Sequence, residues 1–451
     1  MLDERSSSDE MVNIQIEESL MRESLMSIDS ANFHEDIATV AFFCIVLGLV
    51  IFAGIIGPQQ NEITYYNYSI PNDTSFFDIP YKISGINKYN KNIEMYFMIK
   101  KRYGVQESLF QLSYRFQIHC LKGTETQLDI HRDPTEALFS IPSNSSESNH
   151  TFLFSDRFIN YDLANVMIRF DKVPNSIESI VIGVSIGTPE HMFFQIYFRF
   201  VFIGLLLFFL VLLLFRLRKL DIKLWHLEQK LTIPLIILVM LYNNPVSIFQ
   251  IIFPSLVLNI YDIVMTSLFK SYYSFFVLAL FDSLRYKNRK TDKCFFLPKA
   301  VFTIMMFVVY SLASIMEEIS SLPLNGSKAN NQIYSNLQTF VYIVYLVWVV
   351  ISIFVSGYKV DITEKYKFYM YLSCGIVALI FTYGTKILHK WFNFFDHSSL
   401  GFVMQYASEN VFSLLMAYFH WPYEVFQDQI YTEENSDHAT SPNEFLRDEN
   451  Q

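Results

Sequence analysis

Hydrophobic positions fall along this chain in three textures. The first is an unbroken apolar run over 37–57. At about twenty residues it is long enough to cross a hydrocarbon core of ~30 Å as a helix. Across 58–195 the texture changes to short runs in which apolar and polar residues alternate, at 93–99, 110–120, 127–131, 151–158, 165–170 and 179–186. Period-two alternation predicts strands. The turn residues between them, such as Lys122-Gly123, Asp133-Pro134, Pro142-Ser143-Asn144 and Val173-Pro174-Asn175, divide the segment into hairpins. Six or seven such strands predict an antiparallel β-sandwich. From Phe193 the long apolar runs return, at 196–215, 231–253, 261–281, 299–317, 337–356, 368–388 and 401–420. The predicted fold class is an α-helical membrane protein with eight passes. A single-span anchor leads into a lumenal antiparallel β-sandwich, and a seven-helix bundle follows.

Composition agrees with this division. Hydrophobic residues make up 52% of the 451 and charged residues 17%, more apolar surface than one soluble core hides unless lipid covers the rest. The first run also permits reading as a cleaved signal peptide, but its leader is acidic and Gly57-Pro58 follows it instead of a small-residue cleavage site. Residues 1–36 hold ten Asp and Glu against two Arg, so the tail supplies most of the net charge of −10 and reads as a solvated, disordered cytosolic segment. Within it, Ser6-Ser7-Ser8-Asp9-Glu10 offers a phosphorylation target, and the ESLM pair at 18–21 and 23–26 gives an apolar stripe for a membrane or a coat protein. No basic footprint for nucleic acid is present. Of four cysteines only Cys120 lies in the β segment, which excludes an internal disulfide there.

Charge also sets the orientation. The loops after the first, third and fifth bundle spans carry Arg216, Arg218, Lys219, Lys223, Lys230, Arg285, Lys287, Arg289, Lys290, Lys293, Lys299, Lys359, Lys365 and Lys367. The alternate loops carry Lys328, Lys386 and Lys390. Fourteen against three places the basic set in the cytosol and 58–195 on the other side, with both termini cytosolic. Glycosylation sequons at Asn67, Asn72, Asn144 and Asn149 cluster in that lumenal segment, and a fifth, Asn325, falls in a loop also assigned to the lumen. Asn67 is close to the anchor. The expected divisions are a tail at 1–36, the anchor at 37–57, the β-domain at 58–195, the bundle at 196–421 and a tail at 422–451.

Several stretches then resemble a known family. IVLGLVIFAGIIGP (45–58), YFRFVFIGLLLFFLVLLLFRLRKLDIKLWHLEQK (197–230), LTIPLIILVMLYNNP (231–245), CFFLPKAVF (294–302) and YASENVFSLLMAYFHWP (406–422) are similar, in that order, to the Wntless-like family of seven-helix proteins with a GOLD-type lumenal β-domain. The resemblance covers the anchor and the bundle; over 58–195 it extends to architecture only. It implies a secretory-pathway protein of Golgi, endosomal or plasma membrane whose β-domain and bundle together hold a lumenal or lipid-modified protein. Wntless, similar in plan, escorts a lipid-modified secreted signal.

Ionisable groups at membrane depth are costly and therefore candidates for function. Lys270 and Glu409 both fall about eight or nine residues from the lumenal ends of their predicted spans, roughly 12–14 Å at helical rise. Equal depth and opposite charge predict an ion pair, either functional or a plain helix clasp. Asp262 is expected at the lumenal rim. Asn243-Asn244-Pro245 reads either as an interrupted helix of the kind that marks transporter sites or as a helix end before a lumenal loop. Pro234 predicts an ordinary kink. Tyr423-Glu424-Val425-Phe426 has the form of a tyrosine sorting signal, close behind the last span.

No phosphate loop, nucleophile elbow or paired-histidine zinc motif appears, and His119, His131 and His191 are read as surface or strand residues. The chain is expected not to be an enzyme and to need no cofactor or metal. Expected partners are membrane lipid, a lumenal or lipid-modified protein cargo, and cytosolic trafficking or signalling proteins. A trafficking receptor for cargo is the first reading. A G-protein-coupled-receptor-like signalling receptor, with Asp282-Ser283-Leu284-Arg285-Tyr286 as a loose coupling triplet, is the second. A transporter or channel is the third.

Overall fold

The computed structural model describes residues 25–30, 33–71, 76–103, 109–141, 145–157, 159–171, 173–253, 255–285, 293–320, 331–380 and 398–423. The sequons Asn72, Asn144 and Asn325, the serine stretch at 6–8, the loop basics at 286–292 and the far half of the sixth bundle span lie outside them. So do residues 424–426 of the sorting motif.

Helix α1 (Phe33–Ile56) is followed by eight strands: β1 (Asn61–Ser69), β2 (Phe76–Ser84), β3 (Ile93–Lys101), β4 (Leu109–Lys122), β5 (Glu125–Ser140), β6 (Thr151–Asp156), β7 (Leu163–Asp171) and β8 (Ile177–Gly187). They form two antiparallel four-stranded sheets, ordered β1-β8-β3-β6 and β2-β7-β4-β5. The expected sandwich is present with two additional strands, β1 and β2. Asp133-Pro134 does not turn the chain. β5 runs straight through it, because β5 is an edge strand where a missing N–H breaks no inner ladder bond, and a register shift between Tyr114 and Phe116 absorbs the irregularity. Pro80 sits on β2, the opposite edge, for the same reason.

Alternation builds the core. On β4, Phe110, Leu112, Tyr114, Phe116, Ile118 and Cys120 point inward and are buried, while the intervening residues face out. Phe97 of one sheet contacts Tyr114, Phe139 and Phe170 of the other, and Phe116 stacks on Phe154 across the sandwich. With no disulfide among the described cysteines, this aromatic packing carries the domain. Gly183 is required by one contact: a Cβ there would lie 2.2 Å from the Tyr96 ring, which crosses it from the neighbouring strand.

The bundle comprises α2 (Pro189–Leu217), α3 (Leu227–Tyr242), α4 (Ser247–Ile252), α5 (Leu256–Ser283), α6 (Lys293–Ser320), α7 (Asn331–Lys359), α8 (Lys365–Leu379) and α9 (Leu400–Phe419). Six segments are long and apolar enough to cross a membrane, by length and composition: Ile37–Ile56, Pro189–Leu217, Leu227–Ile252, Leu256–Ser283, Lys293–Ser320 and Ile333–Lys359. These make the chain an integral membrane protein. The other two predicted spans correspond to α8, whose continuation at 381–397 is outside the described residues, and α9. The latter is rich in polar residues and mostly buried within the bundle.

The bundle begins earlier than expected. Helix α2 starts at Pro189, one residue after Thr188 and two after the end of β8, with Pro at its first turn where no N–H is needed. The sandwich therefore joins the bundle with no flexible linker. Helix α1 lies along α9. Close approach is possible because Cβ atoms at Gly54 and Gly57 would lie 2.9 Å from Val403 and 3.0 Å from Ser399. At the end away from the sandwich two segments far apart in sequence meet: Leu25–Met26 pairs antiparallel with Pro422–Tyr423, and Asp29 forms an ion pair with Lys367. Met26 of the predicted apolar stripe is buried in the bundle core.

Candidate functional site

The sandwich meets the bundle around a cavity of about 450 Å³. Its walls come from both parts: Lys88, Lys91 and Arg157 from the sandwich loops, His191, Gln195 and Arg199 from α2, Asn259 and Asp262 from α5, and Glu318 from α6. A volume of this size lies in the usual range for ligand sites. By comparison, an apolar crevice between α1, α8 and α9, lined by Phe43, Cys374 and Phe412, measures about 70 Å³.

Helix periodicity supplies the α2 wall. His191, Gln195 and Arg199 are spaced i, i+4, i+8 and head a buried stripe that continues through Phe202, Leu206 and Leu210. They are joined in a directed hydrogen-bond chain. The Ser399 hydroxyl donates to the Pro58 carbonyl at 2.6 Å, so its single proton is committed and its oxygen accepts from His191 Nδ1 at 2.8 Å. That leaves His191 Nε2 as acceptor for Gln195 Nε2 at 2.8 Å, and Gln195 Oε1 accepts from Lys91 Nζ at 3.1 Å. Five groups from the anchor end, α9, α2 and a sandwich loop thus share one network. The loop itself is fixed: Asn90 Nδ2 donates to the Gly187 carbonyl and Gly187 N to that of Asn92.

Arg199 sits ten residues into α2, about 15 Å from its sandwich end. Its guanidinium donates to the Tyr406 hydroxyl at 2.7 Å, lies over the Tyr406 ring and is 3.6 Å from Asp262. Tyr406 in turn stacks on Tyr242, and Tyr242 on Phe269. On the other wall Glu318, 6% exposed, takes Arg157 at 2.5 Å and Asn259 Nδ2 at 3.0 Å, which clamps the sandwich to α5 and α6. Enclosure and the nearby Arg199 guanidinium push Lys91 down to about 8. Water in the cavity still reaches Lys91, which tempers that shift without reversing it. The cavity wall thus carries four cations and two carboxylates.

Of the residues picked from sequence, Asp262 lines the cavity, paired with Arg199. The predicted Lys270–Glu409 ion pair does not form. Because α5 begins at Leu256, Lys270 is fourteen residues in, about 21 Å, whereas Glu409 is nine residues into α9, about 14 Å. Lys270 has no side-chain partner among the described residues; Glu409 is buried, and its backbone carbonyl accepts from Ser413 Oγ. Asn243-Asn244-Pro245 is an interruption within a span and not a plain helix end. α3 stops at Tyr242, Asn244 adopts φ 52°, and α4 resumes at Ser247. Asn243 is fully buried and exchanges two hydrogen bonds, 2.6 and 3.1 Å, with Asn410 of α9. Pro234 is inside α3, and Tyr272 donates to the Leu231 carbonyl just ahead of it. His191, read from sequence as a surface or strand residue, is 2% exposed on a helix.

Asn67 and Asn149 are both exposed on the sandwich. Six residues of strand put Asn67 roughly 20 Å along β1 from Asn61, farther from the anchor than its sequence position implied. At the opposite end of the bundle, Asp282 holds Arg285 at 2.5 Å and Lys299 at 2.7 Å, while Arg285 also binds Ser352 and Ser356. This network ties α5, α6 and α7 together through the stretch read as a loose coupling triplet.

Residues 188–424, just over half of the chain, match the Wntless-like transmembrane domain. The chain belongs to the Wntless-like family. A human relative, transmembrane protein 181, is 21% identical over 329 residues, covering 70% of this chain and 68% of its own length. In this Wntless-like chain the match begins at Thr188, at the hand-over from β8 to α2. The α2, α5 and α6 walls of the cavity therefore lie inside the family domain, and Lys88, Lys91 and Arg157 lie before it.

Sequence reasoning missed Lys91, Arg157, His191, Gln195, Arg199 and Glu318. A polar i, i+4, i+8 row leading into the first bundle run was a readable signal for three of them. The sandwich residues give none, since only the tertiary fold brings 88–92 and 157 onto the bundle.

Proposed function

We propose that this protein is a trafficking receptor of the secretory pathway, with its β-sandwich, of GOLD type, in the lumen. It binds a lumenal or lipid-modified protein where the sandwich meets the bundle. The observation that carries this reading is the polar cavity built from both parts, with Lys91, Arg157 and Arg199 facing Asp262 and Glu318. A rigid junction of this kind reads one ligand with two surfaces. Mixed charges in a partly enclosed, low-dielectric site favour a polar segment that carries an anionic group, such as a carboxylate or phosphate. The basic ends of the bundle then face the cytosol, where trafficking proteins act. A small apolar crevice beside α1 leaves a long acyl chain to the lipid-facing surface of the bundle.

Transport is an alternative reading, favoured by the break at Asn244, three residues before Ser247, which lines the same cavity as Arg199 and Asp262. Purification of full-length protein in mild detergent, with mass spectrometry of retained proteins and lipids, separates the two. A secreted or acylated protein retained by wild type and lost from Arg199→Met supports escort. Solute flux in vesicles that is lost in Arg199→Met, without any retained protein, supports transport instead.

A further inference from the structure

The outward face of the sandwich carries a second group of ligand-type side chains, none of which lines the junction cavity. On β4 the inward residues Ile118 and Cys120 hold His119 outward; on β5 the inward Ile130 holds Asp129 and His131 outward. The two strands are paired in regular register here, His119 opposite Asp129 and Gln117 opposite His131. Three ligand-type side chains, each about half exposed, therefore converge on one patch. His119 Nδ1 is 2.9 Å and His131 Nε2 3.1 Å from the same Asp129 carboxylate oxygen, and the ligand atoms all lie within 4.8 Å of one another. The imidazole rings are 5.2 Å apart.

We propose that His119, Asp129 and His131 form a binding site for a divalent transition-metal ion, with zinc as the ion that fits the donors best. Two imidazole nitrogens beside one carboxylate suit zinc, whereas calcium and magnesium build their shells from oxygen and have one oxygen ligand here. Tetrahedral zinc with ligand bonds of about 2.0–2.1 Å needs donor atoms about 3.4 Å apart. Two of the separations here are already within half an ångström of that. The third closes by small rotations of exposed rings. Strand backbone fixes the Cα positions, so no loop has to order when the ion binds. Three protein ligands leave the fourth position open to solvent. His119 also lines a groove of about 300 Å³ with Gln117, Asn165 and Met167. Spacing rules do not find this site, because its ligands come from two strands and the pattern is set by register.

The test uses the full-length protein in detergent with any polyhistidine tag removed and metal stripped by chelator. Zinc binding is measured by equilibrium dialysis with elemental analysis, and cobalt(II) serves as a spectroscopic probe. The expected result is one zinc per chain, at micromolar affinity or tighter, and a cobalt absorption band of tetrahedral intensity. Loss of an outer-shell partner weakens metal sites about 10–100-fold, so loss of a ligand in Asp129→Asn or His131→Ala costs on the order of a hundredfold or more. His150→Ala, which removes an exposed histidine beside Tyr96, leaves binding unchanged. Metal-free melting of all three variants matches wild type, since each change is on an exposed position. Binding of the same strength in Asp129→Asn and His131→Ala, or no zinc retained by wild type, overturns the proposal.

Discussion

Replacing His191 by alanine tests whether the network at the junction holds the sandwich on the bundle. The change removes the acceptor of Gln195 Nε2 and the donor to Ser399 Oγ, both 2.8 Å bonds. A buried group left without its partner costs about 1–3 kcal/mol. Ser399 keeps its bond to Pro58, and Gln195 lines the cavity where water can replace the ring, so each loss belongs near the low end, about 1 kcal/mol. The ring's edge contact with Phe402 adds up to about 1 kcal/mol. The total is about 2–3 kcal/mol. If the family domain melts as one unit of 188–424, that corresponds to roughly 5–10 °C in Tm. Ser399→Ala orphans His191 Nδ1 and the Pro58 carbonyl and should lose a similar amount. Because the two residues share a bond, the double variant should fall short of the sum of the single losses. Thermal melting in detergent measures all three. Wild-type melting of His191→Ala, or additive losses within about 0.5 kcal/mol, would refute the reasoning.

Three other outcomes follow from the same structure. Gly54→Leu drives a side chain into Val403 and should destabilise the packing of α1 on α9 by about 1–3 kcal/mol, read as a lowered Tm; unchanged melting would show that the helices do not touch there. Lys91, held down to about 8, is charged below that pH and neutral above it, so an anionic ligand of the cavity should bind at constant strength below pH 7 and weaken above about pH 8. The same depression means the unfolded chain binds more protons than the folded one between about 8 and 10.5, so Lys91's contribution to stability rises with pH across that window. Titration of Lys91→Met should flatten the binding profile; a profile unchanged by the substitution would exclude Lys91 as the titrating group. Asn149 is exposed beside β6, so in a secretory host Asn149→Gln should remove one glycosidase-sensitive step in gel mobility, and no change would place that face away from the glycosylation machinery.

Most of the architecture was legible because it rests on periodicity. Strand alternation on β4 and the length of the apolar runs are local properties, and the helices occur where those runs occur. Helix ends were less legible. α2 and α5 start several residues before their apolar runs, with polar residues such as His191 and Asn259 already helical, and that error alone produced the false depth match between Lys270 and Glu409. β1 and β2 were not among the predicted strands; β2 carries Pro80 within it, which its edge position tolerates. The cavity was illegible for a different reason. Its cations, Lys88, Lys91, Arg157 and Arg199, come from two sandwich loops and a helix, and only the linker-free passage from β8 into α2 brings them together. Asn243-Asn244-Pro245 was recognised as unusual, but its pairing with Asn410 across 167 residues could not be.

The central claim is that sandwich and bundle bind one ligand together at their junction. The most direct measurement is quantitative mass spectrometry of proteins and lipids retained by full-length wild type, Lys91→Met and Arg199→Met, one substitution on each side of the cavity. A secreted or acylated protein held by wild type and lost from both variants, with melting temperatures preserved, is the predicted result. Equal recovery of that protein from all three, or retention of bulk phospholipid alone, would contradict it.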